Sequence, residues 1–269
     1  MKTTSRKRLL ISSVAMLLVA MLALGTATFA WFTSSTSVKA DGIKVRTSKT
    51  SKLEICSNQS GWKSDGFAYE NVSSIMFPAS SANGTDWFTA TAAKSSEFTK
   101  SGNFKLLTMT DNQYDNKYVY ANMLGIKNAG DQPIKDIKIE ISNVGTCKYL
   151  RYAVVPVANT EAVDPGMGGV GEMAPNAFKS NIFSPEARTW NPATSTTTAS
   201  AAKYSSTVKT TIPVVSGEDA LASGATKFYN VYVWFEGQDE ACIDAAAGQG
   251  ITADKGITFQ VTGVPVSEK

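Results

Sequence analysis

The densest grouping of side chains with chemical potential is "WFEGQDEACID", in which Glu236, Asp239, Glu240 and Asp244 crowd into one short stretch. Oxygen-rich loops of this kind hold Ca²⁺ in extracellular modules, because a hard cation is satisfied by several carboxylate and carbonyl oxygens at once. The four residues are therefore candidate Ca²⁺ ligands, and Ca²⁺ is the one cofactor the sequence suggests. Their spacing is not that of an EF-hand, which alternates acidic or amide side chains before a glycine and a distant Glu. The simpler and favoured reading is a solvated turn in which Asp239 caps a short helix running through Cys242 to Ala247.

Cys56, Cys147 and Cys242 form the second group. Three cysteines allow three different single disulfides with one thiol left over, and the sequence does not choose among them. None lies in a C-x-x-C spacing, and the chain contains no histidine, so a structural zinc lacks its usual partners. The missing imidazole has a wider consequence. Ser-His-Asp and Cys-His hydrolysis need a group that changes protonation near neutral pH, and H-E-x-x-H zinc proteases need two histidines as ligands. None can be built from this chain, and no catalytic residue is assigned. Carboxylate-only hydrolysis of the glycosidase kind stays compatible, since it needs only two Asp or Glu at a set separation.

"GMGGVG", with Gly166, Gly168 and Gly171, literally matches the dinucleotide fingerprint G-x-G-x-x-G. The context fails, because Pro175 follows closely and no helix can be read after the last glycine. A flexible loop is the expectation here.

The elements that position these groups are strands. In the segment 228–236, Tyr229, Val231, Val233 and Phe235 share one face while Asn230 and Glu236 fall on the other. Tyr232 and Trp234 join that second face, where a stacking platform for a glycan is one reading and covered or edge-facing aromatics are the commoner arrangement on a sandwich. Ile137, Ile139 and Ile141 alternate with Lys138 and Glu140, and Ile257, Phe259 and Val261 alternate with Thr258 and Gln260. Weaker strand patterns run over 43–47, 53–56, 104–109, 118–126, 149–157 and 207–214. Many strands with almost no helical period predict an all-β chain folded as an antiparallel β-sandwich. One region breaks the rhythm. Residues 159–203 gather four of the nine prolines and the tract "TSTTTASAA", which reads as a long, exposed, irregular insertion between two core strands.

The start of the chain reads as an export signal. Lys2, Arg6, Lys7 and Arg8 precede a predominantly apolar run from Leu9 to Leu24, and Thr28-Phe29-Ala30 presents small residues suited to cleavage between Ala30 and Trp31. An uncleaved anchor with Phe29, Trp31 and Phe32 at the membrane interface is the alternative. The expected organisation is a signal peptide over 1–30, an N-terminal segment over 31–42 and a sandwich domain over 43–269. The leader holds four of the 26 basic residues and none of the 23 acidic ones, so the remainder is close to neutral. With no basic block downstream, nucleic acid is not an expected partner. Contact with a membrane is expected only through the leader.

The leader "GTATFAWFTSSTSVKADGIKV" resembles that of the TasA and camelysin group of Gram-positive exported proteins, whose signals are cut by a dedicated ER-type signal peptidase. Two inner segments also fit. "YVYANMLGIKNAGDQPIKDIKIEI" resembles the group's paired strands joined by an asparagine- and glycine-containing turn. "NVYVWFEGQDEACIDAAAGQGITADKGITFQV" resembles its C-terminal strand, acidic turn and closing strand. The resemblance implies a jelly-roll-like sandwich exported to the cell surface or matrix, with signal peptidase and further copies or related matrix subunits as partners. It also implies that the segment after the cut completes the sheet of a neighbouring subunit in fibre-forming members. Phe32 and Val38 would then be donor-strand side chains entering pockets, while the backbone between them pairs with an exposed edge. An adhesin or glycan-binding module is the alternative function. A camelysin-type metallopeptidase is the least suited, because no histidine is present to bind zinc.

Overall fold

The computed structural model describes residues 43–47, 52–57, 60–68, 77–90, 104–107, 118–158, 170–215, 219–242 and 256–266. The leader, the Ala30–Trp31 cleavage pair, Phe32, Val38 and Asp244 lie outside these residues, as do Gly166 and Gly168.

Along the chain come β1 (Lys44–Thr47), β2 (Leu53–Cys56), β3 (Phe67–Ala68), β4 (Phe88–Ala90), β5 (Phe104–Leu106), β6 (Val119–Asn128), β7 (Ile134–Ser142) and β8 (Leu150–Pro156). A helical turn, α1 (Ala177–Ser180), then precedes β9 (Ile182–Phe183), β10 (Arg188–Trp190), β11 (Tyr204–Ser206) and β12 (Thr211–Pro213). The last three strands are β13 (Ala220–Leu221), β14 (Thr226–Phe235) and β15 (Thr258–Pro265). The all-β expectation is met. The nine segments read as strands each contain one, and the shorter additions are mostly edge or cover pieces.

Two sheets face each other. The first has the order β12-β7-β15-β1-β3, with β13 also on β7, and the second has the order β2-β6-β14-β8-β9. Period-two alternation aims Val45, Ile137, Ile139, Ile141, Phe259 and Val261 of the first sheet at Ile55, Leu124, Tyr152, Val231, Val233 and Phe235 of the second, in one buried core. Two details depart from the expectation. First, β1 pairs parallel with β15 over all four of its residues, so the sandwich is not purely antiparallel. Second, β6 and β7 do not pair with each other. The turn between them crosses from one sheet to the other, held by Asn128, whose Oδ1 accepts the Gly130 N–H at 2.9 Å and whose Nδ2 donates to the Gln132 and Leu221 carbonyls.

The second sheet is buried on its far face as well. Val119, Ala153, Val155, Tyr232 and Trp234 pack there against Ala79, Trp87, Phe178, Ile182 and Trp190. The cover comes from residues 77–90 and from the described part of the region expected to be an exposed insertion. That expectation is corrected for residues 170–203. Phe178 and Trp190 are almost fully buried, because the apolar outer face of β14 and β8 must be taken out of water and these side chains supply the surface that does it. The same segment closes the outer edge of β8, through β9 at Tyr152 and Ala153 and through a bridge between Val157 and Met173.

Candidate functional site

The acidic stretch after β14 is where burial and charge meet most sharply. The ladder of β14 continues one residue past the strand, where the Glu236 N–H donates to the Tyr149 carbonyl at 2.8 Å. On the other side Ala79 donates to the Phe235 carbonyl and accepts from the Gly237 N–H. Two tight turns follow, closed by Asp239 N–H to Glu236 carbonyl at 3.1 Å and Cys242 N–H to Asp239 carbonyl at 2.9 Å. The chain thus folds back over the end of the sheet. Glu236 and Asp239 have no exposed surface, whereas Glu240 is exposed. The expected solvated turn is therefore buried. Asp239 accepts the Ala241 N–H on Oδ1 at 2.7 Å, and the short helix it was expected to cap lies, beyond Cys242, outside the described residues.

A buried carboxylate must be paired, and Asp239 is paired twice. Arg188 of β10 grips it as a fork, with Nε to Oδ2 at 2.9 Å and Nη2 to Oδ1. Arg151 of β8, itself fully buried, donates from Nη2 to Oδ2. Arg151 also donates from Nη1 to the Lys148 and Leu150 carbonyls, both at 2.9 Å, and its guanidinium lies 4.6 Å from the centre of the Trp190 ring. Burial pushes the Asp239 carboxyl upward, but the Arg188 bond, the Ala241 N–H and Arg151 outweigh it and hold the group below its ordinary range. Burial lowers Arg151, and Asp239 restores only part of that. An arginine begins so high that it stays charged at neutral pH.

Glu236 is the opposite case. Burial pushes its carboxyl up to about 7, against hydrogen bonds from Ser80, Trp234 and the Gln238 N–H and the charge of Arg151. Trp234 Nε1 donates to Oε2 at 3.1 Å and the Gln238 N–H to Oε1 at 3.0 Å. Two carboxyls with values driven apart are the pattern of an acid and base pair. Here both are sealed from solvent, and Asp239 has its oxygens occupied by guanidinium groups, so neither presents itself to a substrate. Nor do the three described Ca²⁺ candidates converge. Asp239 serves the two arginines, Glu236 serves the indole and backbone, and Glu240 points to solvent. Among the described residues no three His, Cys, Asp or Glu are grouped so as to hold a metal ion.

The glycan-platform reading of Tyr232 and Trp234 is overturned by the cover layer. Trp87 meets Trp234 edge-on at 5.1 Å between centroids, Phe178 stacks on it at 5.7 Å, and Tyr232 packs against both covering rings. Gly171, the one described glycine of the fingerprint match, is held against β14. The Asn230 side chain brackets its backbone, accepting the Gly171 N–H at 2.8 Å and donating to its carbonyl at 2.7 Å. A Cβ at Gly171 would lie 2.7 Å from Val157 Cγ1, so the glycine permits close packing rather than approach of a pyrophosphate.

All three cysteines are buried thiols. Cys56 packs with Met123, Val157 and Phe228 on the outer side of the second sheet, whereas Cys147 and Cys242 belong to the main core. An open cleft of about 440 Å³ lies within the cover layer, between the loop around Asn83 and the segment from Val170 to Lys179. Lys179 Nζ sits 4.6 Å from the centre of the Tyr204 ring at its wall.

The arginine cluster was missed at the sequence level, although Arg151 inside the apolar run "YLRYAVV" is a signal, since a charge in a strand buried on both faces demands a partner. Compared with protein-family models, with curated proteins and with solved structures, the chain gives no significant match in any of the three.

Proposed function

We propose that this chain is an exported, non-catalytic structural subunit of a cell-surface or biofilm-matrix fibre that assembles by strand addition. The observation that carries the reading is the state of the sheet edges. The β7 edge is closed by β12, with Pro213, and by β13, and the β8 edge is closed by β9 and the Val157–Met173 bridge. On the remaining side of the first sheet, β3 pairs with β1 only at Lys44 and Val45. The outer side of β2 is bridged only between Ile55 and Lys63, and of these two sparsely covered edges among the described residues the β1 edge belongs to the strand into which residues 31–42 lead. An edge of that kind accepts an extended segment from a second copy, and head-to-tail addition does not close on itself. The sealed carboxylates support a structural role for the polar cluster.

The test uses protein expressed with its own leader in a Gram-positive host. Exported material should begin at Trp31 and form filaments under negative stain, and a variant lacking residues 31–40 should remain monomeric. A retained leader, or filaments indifferent to the deletion, refutes the reading. The cleft beside Tyr204 favours one alternative, a surface module that binds a glycan. Saturable binding of a defined glycan by a monomer that never polymerises would select it.

A further inference from the structure

Turn 147–150, ahead of β8, and turn 239–242, beyond β14, lie against each other at one end of the second sheet. The first is closed by the Leu150 N–H to the Cys147 carbonyl at 3.2 Å, the second by the Cys242 N–H to the Asp239 carbonyl at 2.9 Å. Each is tied to the flank of the other, Tyr149 through its carbonyl to the Glu236 N–H and Asp239 through its carboxylate to Arg151. The Tyr149 ring packs edge-on against Phe235 at 5.2 Å, in the core cluster that contains both Cys147 and Cys242. The Tyr149 hydroxyl is hydrogen-bonded to the Cys147 thiol, and both lie near enough to Cys242 to interact with it. Cys56 stands in a separate cluster with Phe228 and Met123.

We propose that Cys147 and Cys242 form a disulfide that staples the turn after β14 to the start of β8, while Cys56 remains a thiol. The oxidising surroundings this needs rest on the export reading above. In the reaction each thiol releases its proton, the two sulfurs bond, and two electrons pass to a small-molecule or protein disulfide, which leaves as two thiols. Burial pushes Cys147 up to about 11 and Cys242 up as well, so little thiolate exists once the core has closed and exchange belongs to the folding stage.

The decisive experiment does not depend on export. The full chain, reduced and denatured, is refolded in a mixture of reduced and oxidised glutathione, alkylated after denaturation, digested and mapped by mass spectrometry. The expected result is one linked peptide pair joining Cys147 to Cys242, with Cys56 alkylated, and the same link in Cys56→Ser. The link should vanish in Cys147→Ser and in Cys242→Ser. Three alkylated cysteines after refolding, or any link through Cys56, overturns the pairing. Loss of the link in Cys56→Ser overturns it equally. A chain that links on refolding but is never exported counts against the export reading and leaves the pairing standing.

Discussion

Glu236 makes stability depend on pH in a direction opposite to that of an ordinary paired carboxylate. Burial, partly offset by Ser80, Trp234, the Gln238 N–H and Arg151, moves its carboxyl from 4.5 to about 7 in the folded state. Between those values the folded protein holds a proton that the unfolded chain has lost, so stability falls as pH rises and levels off above about pH 7. At about 1.4 kcal/mol per unit, a displacement from 4.5 to about 7 corresponds to an upper limit of about 3 kcal/mol. For a domain of this size that is a decrease in Tm of ~6–12 °C. The window is clean because the chain has no histidine. Asp239 acts below it, its depressed value contributing stability that is lost as pH falls through the acid range. The assay is a series of thermal melts followed by circular dichroism from pH 5 to 7.5, on the parent protein and on Glu236→Gln. The parent should lose Tm steadily across the series. The variant should be nearly flat, starting lower by about 1 kcal/mol because an amide has one acceptor where Trp234 and Gln238 both donate. An equal slope in both proteins, or a parent whose Tm rises with pH, refutes the argument.

The arginine cluster predicts a ranking. Asp239→Asn leaves the fully buried Arg151 uncompensated and should cost about 3–5 kcal/mol, whereas Arg188→Ala removes a partly exposed partner and should cost about 1–2 kcal/mol. Denaturant melts that reverse this order would show that Arg151, rather than Asp239, is the group left satisfied. Asn230→Leu strips the Gly171 N–H and carbonyl of their bracket and should lower stability by about 2–4 kcal/mol. Proteolytic nicking should then increase near Gly171, and an unchanged cleavage pattern would mean that the bracket does not hold the cover segment in place.

The strands were legible because their information is local. Side-chain parity along 228–236 follows from the two-residue pleat repeat, and it sorted Val231 and Val233 from Asn230 and Glu236 without reference to any other part of the chain. The absence of histidine and the crowding of acids after Phe235 were equally plain. What the second face of β14 would meet was not local. Trp234 and Tyr232 are covered by Trp87 and Phe178, residues far away in sequence whose own segments carry no clear period. The region 159–203 read as an exposed insertion because proline, glycine and threonine mark loops, and composition does not say that a loop is laid across a sheet.

The same division applies to charge. The residue types at 151, 188, 236 and 239 are written in the sequence, and so is the oddity of an arginine within an apolar strand. That two of the four become a sealed ion pair, with Arg188 closing over it and Glu236 driven towards neutrality, depends on water being excluded at the end of the sheet. Period and residue type determined the strands and the chemistry available. Only the tertiary structure decided which polar groups lose their solvent, because desolvation is a property of what lies above a residue and not of what lies beside it in the chain.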